Sequence, residues 1–230
     1  MVIGLLTIAS IPTVTGVSLG VSEQRKANQR EDDERRMAKF YIEAYIRRSR
    51  AAIMEDMGID NDEDEDEVED QADAEEEVDG KWAVLRGDKV YLESPTPNNT
   101  RPSPSQSHTA EAFYISYPEP EHTKHLKRGL GLVTTISTDP PMLNWIYADK
   151  NTHELKYGNR TQSVDHIVGP WDWRDDETVV TLEKKSKFLA VEEQDGWGVY
   201  FDRDGDGLVG KGIEEETMIV EIGFRRRIVE

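Results

Sequence analysis

The sequence contains no cysteine. That excludes disulfides, a thiol nucleophile and any zinc or iron–sulfur site built on thiolates, and it points to a reducing, intracellular setting. A surplus of positive charge is also missing. Lysine and arginine together number 28 against 47 aspartates and glutamates, a formal net charge of −19, whereas a nucleic-acid binder needs a basic stripe. No serine elbow, phosphate-binding glycine loop, dinucleotide fingerprint or zinc-protease motif occurs. Such gaps lower the expectation of an enzyme without removing it.

Long apolar runs are scarce too, with one exception at the start. Residues 1–21 carry no charge and have the length of a membrane span, but Pro12 and several Ser, Thr and Gly residues dilute them. The basic leader of a secretory signal is absent. The segment reads either as a membrane-associated tether or as chain packed on protein. Residues 22–54 then turn helical in pattern, free of Gly and Pro, with Ser22 placed to cap the N-terminus. Glu31 with Arg35, and Asp32 with Arg36, stand one helical turn apart, and Met37, Tyr41 and Tyr45 make an apolar stripe beside Phe40 and Ala44. This predicts a charged helix over 22–54.

Where the acidity sits matters more than its total. Residues 55–79 hold 16 carboxylates and no base, and removing those 16 from the 47 leaves about 31 acids facing 28 bases. The rest of the chain is therefore nearly balanced. Charges this dense repel one another and leave little apolar area to offset ordering entropy, so 55–80 is expected to be a disordered acidic linker. A second low-complexity stretch, 94–107, is rich in Pro and Ser and reads as a loop insertion, with Ser94, Thr96 and Ser103 before prolines as phosphorylation candidates.

From residue 81 to 230 strand signals dominate. Trp82 and Val84, a Gly87-Asp88 turn, then Val90 and Leu92 form one hairpin pattern. Trp145 and Tyr147, a longer loop, then Leu155 and Tyr157 form a second. Leu189 and Val191, an Asp195-Gly196 turn, then Val199 and Phe201 form the third. Further strands are expected near 113–117, 132–136, 167–173, 179–182, 208–213 and 218–224. Three similar units of four strands is the plan of a β-trefoil, a closed barrel with internal threefold symmetry and no exposed sheet edges. The fold class is therefore all-β, preceded by an N-terminal α-helix. A β-sandwich or another small barrel is the alternative.

The stretches DPPMLNWIYADKNTHELKYGN at 139–159 and VGPWDW at 168–173 resemble a family of uncharacterised proteins from filamentous fungi. The opening at 16–30 and the last hairpin with its Asp-rich loop are similar to it as well. The resemblance implies a fungal source and brings no catalytic or ligand residue with it.

Two motifs could carry chemistry. Asp202, Asp204, Asp206 and Gly207 match the first half of a calcium-loop pattern, in which alternate carboxylates converge on a hard cation. The twelfth position is Ile213 rather than a bidentate Glu, and Glu214 falls one residue late. The competing reading is a solvated turn. Trp171, Asp172 and Trp173 would put two indoles on one face of a strand beside an aspartate, an arrangement suited to stacking and orienting a sugar ring. The competing reading is that both indoles plug the barrel. His122 and His125 are a polar-loop pair without an evident third metal ligand. The functional expectation is a non-enzymatic binding or interaction module for a protein or a carbohydrate, with residues 1–21 as a membrane tether. The alternatives are an enzyme using carboxylates in a cleft and a calcium-stabilised structural protein.

Overall fold

The computed structural model describes residues 11–47, 65–95, 107–118, 128–138, 141–174, 176–214 and 216–229. The chain divides into a helical unit, Met1–Ala38, and a larger unit, Lys39–Glu230. In the first, helix α1 spans Ile11–Met37. Pro12 falls in its first turn, where a missing N–H leaves no helical bond unmade. Ser22 therefore lies inside the helix rather than capping it. The side chains from Gln24 onward are largely exposed, and Asp32 pairs with Arg35. Among the described residues no helix is long and apolar enough to cross a membrane.

The helix expected through residue 54 stops at Met37. Strand β1, Phe40–Ile46, takes its place. Six of its seven residues are apolar, a density that satisfies a helical and an alternating period alike. A remote partner decides between them. β1 pairs along its whole length with β13, Ile219–Ile228, from Phe40 opposite Ile228 to Ile46 opposite Ile222. Phe40, Ile42 and Ala44 then point into the core, and Glu43 on the other face pairs with Arg227.

The remaining strands follow in order: β2 Trp82–Arg86, β3 Lys89–Glu93, β4 His108–Thr109, β5 Glu111–Ser116, β6 Leu130–Thr138, β7 Pro141–Ala148, β8 Leu155–Gly158, β9 Trp171–Trp173, β10 Val179–Leu182, β11 Phe188–Glu193 and β12 Gly196–Phe201. The three expected hairpins are β2–β3, β7–β8 and β11–β12. They meet one another through β3, which pairs with β8 at Lys89–Lys156 and with β12 at Leu92–Trp197 and Tyr91–Gly198. Outside them, β1, β5, β6, β9, β10 and β13 form the ring, with β1 on β5, β5 on β6, β9 on β10, β10 on β13 and β13 back on β1. β6 lies against β9.

Each of the three units thus contributes two ring strands with a hairpin between them, which is the β-trefoil plan. The units begin one strand earlier than the hydrophobic pattern implied, because β1 opens the first. The strand expected at 208–213 is instead a chain of turns. The core is filled by side chains from every unit. Tyr114, Trp171, Phe188, Phe201 and Phe224 are essentially inaccessible, and Phe188 touches the rings of Trp171, Phe201 and Phe224.

The acidic stretch also departs from expectation. Residues 55–64 lie outside the described residues, but Glu65–Val78 is a helix, α2, rather than disordered linker. Ala74 and Val78, one turn apart, are buried against the core. Asp70, Asp73, Glu76 and Glu77 are exposed, where like charges can coexist. Glu77 also accepts hydrogen bonds from Lys81 Nζ at 2.6 Å and from Trp197 Nε1 at 3.0 Å, and these hold its carboxyl below the usual range. The tract after 64 is therefore a lid element of the fold. Residues 96–106, which include most of the Pro/Ser loop, lie outside the described residues.

Candidate functional site

The three aspartates of the DxDxDG stretch do not converge on one point. Asp202 is buried, and its Oδ1 accepts the backbone N–H groups of Gly205 at 2.9 Å and Asp206 at 3.1 Å. Asp206 Oδ1 accepts the N–H of Leu208 at 3.1 Å. Asp204 faces Lys211 at 3.8 Å. Gly205 and Gly207 take left-handed φ values of 76° and 71°, which only glycine adopts freely. The ammonium of Lys185 donates to the Arg203 carbonyl, and Arg203 holds Glu183 through two bonds of 2.8 and 2.9 Å. Protein cations thus cross-link the loop where a metal would. Leu208 is the loop's apolar anchor, packed on Leu189, Val191 and Tyr200, whereas Val209, at the calcium loop's aliphatic position, is 73% exposed. Among the described residues no group of three or more His, Asp or Glu side chains stands where it could hold one metal ion.

Trp171, Asp172 and Trp173 form β9, and both indoles turn toward the barrel. Trp171 is 1% exposed and lies parallel to the Phe188 ring at 6.1 Å. Trp173 meets the Tyr114 ring edge-on at 5.5 Å, and its own face is covered by the Arg226 guanidinium at 4.3 Å. Asp172 Oδ1 accepts the Trp173 N–H at 3.0 Å. The structure therefore places these side chains in the core and its polar cover. His122 and His125 lie outside the described residues. None of the five tryptophans is exposed.

A polar cluster that the sequence reading did not single out lies where the three hairpins meet. Glu154, just ahead of β8, is its centre. Its Oε1 meets Lys89 Nζ at 2.7 Å, and its Oε2 meets Lys156 Nζ at 3.0 Å and accepts the Thr152 hydroxyl at 3.1 Å. Glu193, from β11, accepts Lys89 at 3.2 Å and the Tyr91 hydroxyl at 3.1 Å. The Tyr200 hydroxyl lies between the two carboxylates, 2.8 Å from Glu193 and 3.2 Å from Glu154. Room for this comes from Gly198: a Cβ there would lie 2.5 Å from Glu193 Oε1.

The electrostatics follow from these contacts. Burial works to raise the Glu154 carboxyl, but the hydrogen bonds from Lys89 and Lys156 outweigh it and hold the group at about 2. Burial, then the bond to Glu193, pushes Tyr200 well above the ordinary phenol range. Lys89 is raised despite its burial, because Glu154 and Glu193 favour the charged form. Among the described residues the carboxyls of Glu77, Asp149, Glu154 and Asp176 are all held below their ordinary values. Beside this cluster an open groove of about 810 Å³ runs between the first and third hairpins, lined by Arg86, Lys89, Tyr91, Glu193, Gln194 and Asp195. Arg86 lies over the Tyr91 ring at 4.3 Å and bonds Glu93 at 2.9 Å.

Comparison with known proteins agrees with this architecture. The profile of a family described as the fungal beta-trefoil domain matches residues 16–230. The chain belongs to that family. No curated protein and no solved structure matches the chain. The matched span runs from Gly16 in α1 through the last strand of the trefoil. Within the trefoil, the cluster is built from residues far apart in sequence: Lys89 and Tyr91 in β3, Glu154 and Lys156 at β8, Glu193 in β11 and Tyr200 in β12.

Proposed function

We propose that the protein is a non-enzymatic binding module that recognises a polar surface of another protein through the open groove between its first and third hairpins. The observation that carries this reading is the state of the carboxylates. A general acid or base working near neutral pH needs a carboxyl raised toward 7, usually in a deep pocket. Here Glu154 is held at about 2 and the barrel interior is packed with aromatic rings. The groove is shallow, and exposed Gln194 and Asp195 on its lining are open to a partner.

A protein partner is favoured over a carbohydrate by the aromatic faces. Sugar sites present an uncovered ring for stacking. In this trefoil Arg86 covers Tyr91, Arg226 covers Trp173, and Tyr41 lies on Trp82 at 4.8 Å. The test is affinity capture from fungal extract with the wild-type chain and an Asp195→Lys groove variant in parallel. A partner held by the wild type and lost by the variant supports the reading, and identical sets contradict the groove. Turnover of ester, glycoside or peptide substrates by the wild-type chain would overturn the non-enzymatic assignment.

A further inference from the structure

A second hollow, of about 400 Å³, lies on the flank of the third trefoil unit. Arg47, Arg174, Lys184, Lys185 and Lys187 line it, together with Asp202. Five cations facing one carboxylate run against a chain whose formal charge is −19. That carboxylate is also turned away in part, since Asp202 Oδ1 serves the N–H groups of Gly205 and Asp206.

How far each cation is already satisfied separates this hollow from an ordinary solvated face. Arg47 bonds Glu221 at 3.1 Å, and Lys185 donates to the Arg203 carbonyl. The side chains of Arg174, Lys184 and Lys187 make no hydrogen bond or ion pair among the described residues. Like charges held together repel, by about 1 kcal/mol per pair at 4 Å even at the dielectric of water and more beside a protein surface. A bound anion would relieve that repulsion.

The backbone beneath them is fixed rather than loose. Leu182 and Lys185 exchange both backbone hydrogen bonds, closing a two-residue turn at Glu183 and Lys184. Both central residues have left-handed φ values, 50° and 64°. Asn-Gly is the undemanding choice for such a turn, and residues with long side chains there cost on the order of 1 kcal/mol each. In return, Glu183 grips Arg203 and Lys184 is delivered to the hollow. The lysine roots are thus pre-positioned, which reduces the ordering entropy that binding would otherwise cost.

We propose that this hollow binds a ligand carrying two or more phosphate groups. Arg47 and Arg174 supply planar forks that match phosphate oxygens in pairs, and the three lysines supply point charges. With Glu221 counted against Arg47, the excess is three positive charges, which two phosphate groups, each carrying about −1.5 to −2 at neutral pH, would neutralise. A single carboxylate would leave most of the excess uncompensated.

The experiment is calorimetric titration of the full chain with tripolyphosphate at physiological salt. The wild type is expected to bind, with affinity falling as salt rises. The double variant Lys184→Gln/Lys187→Gln should bind at least about tenfold more weakly, the loss of roughly 1.4 kcal/mol, while Lys150→Gln, an exposed lysine elsewhere, should bind as the wild type does. Melting curves of the variants verify that the fold is kept. Arg174→Ala provides a second route should the double variant fail to fold. No binding by the wild type at about 1 mM ligand, or equal binding by the flank variants, overturns the proposal. Vesicles carrying a phosphoinositide identify the source: binding to vesicles at least as tight as to tripolyphosphate supports a lipid headgroup, and binding to the soluble probe alone supports a free polyphosphate.

Discussion

The hairpin cluster and the flank hollow are both lined by lysines, yet their lysines are in opposite situations. Lys89 and Lys156 are enclosed by Glu154 and Glu193, with two tyrosine hydroxyls closing the network. Lys184 and Lys187 face an open hollow with no acid committed to them among the described residues. The composition is similar, and the pairing is not. Charges that satisfy one another across three hairpins act as part of the fold. Charges left facing solvent together remain available to something else.

The sharpest way to break that contrast is to remove the centre of the cluster. Glu154→Gln should leave Lys156 without its ion-pair partner and Lys89 with Glu193 alone, and cost about 3 kcal/mol at neutral pH, measured by urea unfolding. The pH dependence has a definite sign. Because the folded carboxyl lies below its ordinary value of 4.5, its contribution is fully present above 4.5 and disappears as the pH falls toward about 2. The wild type should therefore lose stability over that window, and Glu154→Gln should show a flatter acid limb.

A smaller effect is expected from Gly198→Ala. The added Cβ pushes on the Glu193 carboxylate, which Lys89, Tyr91 and Tyr200 hold in place. An overpacking cost of about 1–2 kcal/mol should appear in the same unfolding assay. The smallest effect concerns the loop at 202–213. Because Lys185, Lys211 and backbone N–H groups already engage its oxygens, millimolar calcium should leave the melting temperature where it was. A clear upward shift would show that the carboxylates can regroup around a cation.

Much of the trefoil was legible in the residues themselves. The hairpins at Gly87-Asp88 and Asp195-Gly196 announce themselves because alternation and turn chemistry agree within a few residues. β1 was hidden because Phe40–Ile46 is apolar at nearly every position and its partner, β13, lies at the far end of the chain. α2 was hidden for a related reason. Ala74 and Val78 offer little apolar area among so many acids, and their seat exists only after distant strands have assembled. In the DxDxDG loop, one pattern serves a metal loop and a capped turn equally, and only the side-chain directions separate them. The hairpin cluster joins Lys89, Glu154 and Glu193 from three separate units, a juxtaposition that local pattern does not encode.

The contrast between the two lysine environments can be measured on one pair of variants. Lys89→Gln and Lys187→Gln remove the same charge from the same residue type, one in the cluster and one in the flank hollow. Urea unfolding of both beside the wild type should show Lys89→Gln destabilised by about 2–3 kcal/mol and Lys187→Gln within about 0.5 kcal/mol of the wild type. Equal losses for the two, or a larger loss for Lys187→Gln, would contradict the division between charges that build the trefoil and charges it holds out to a ligand.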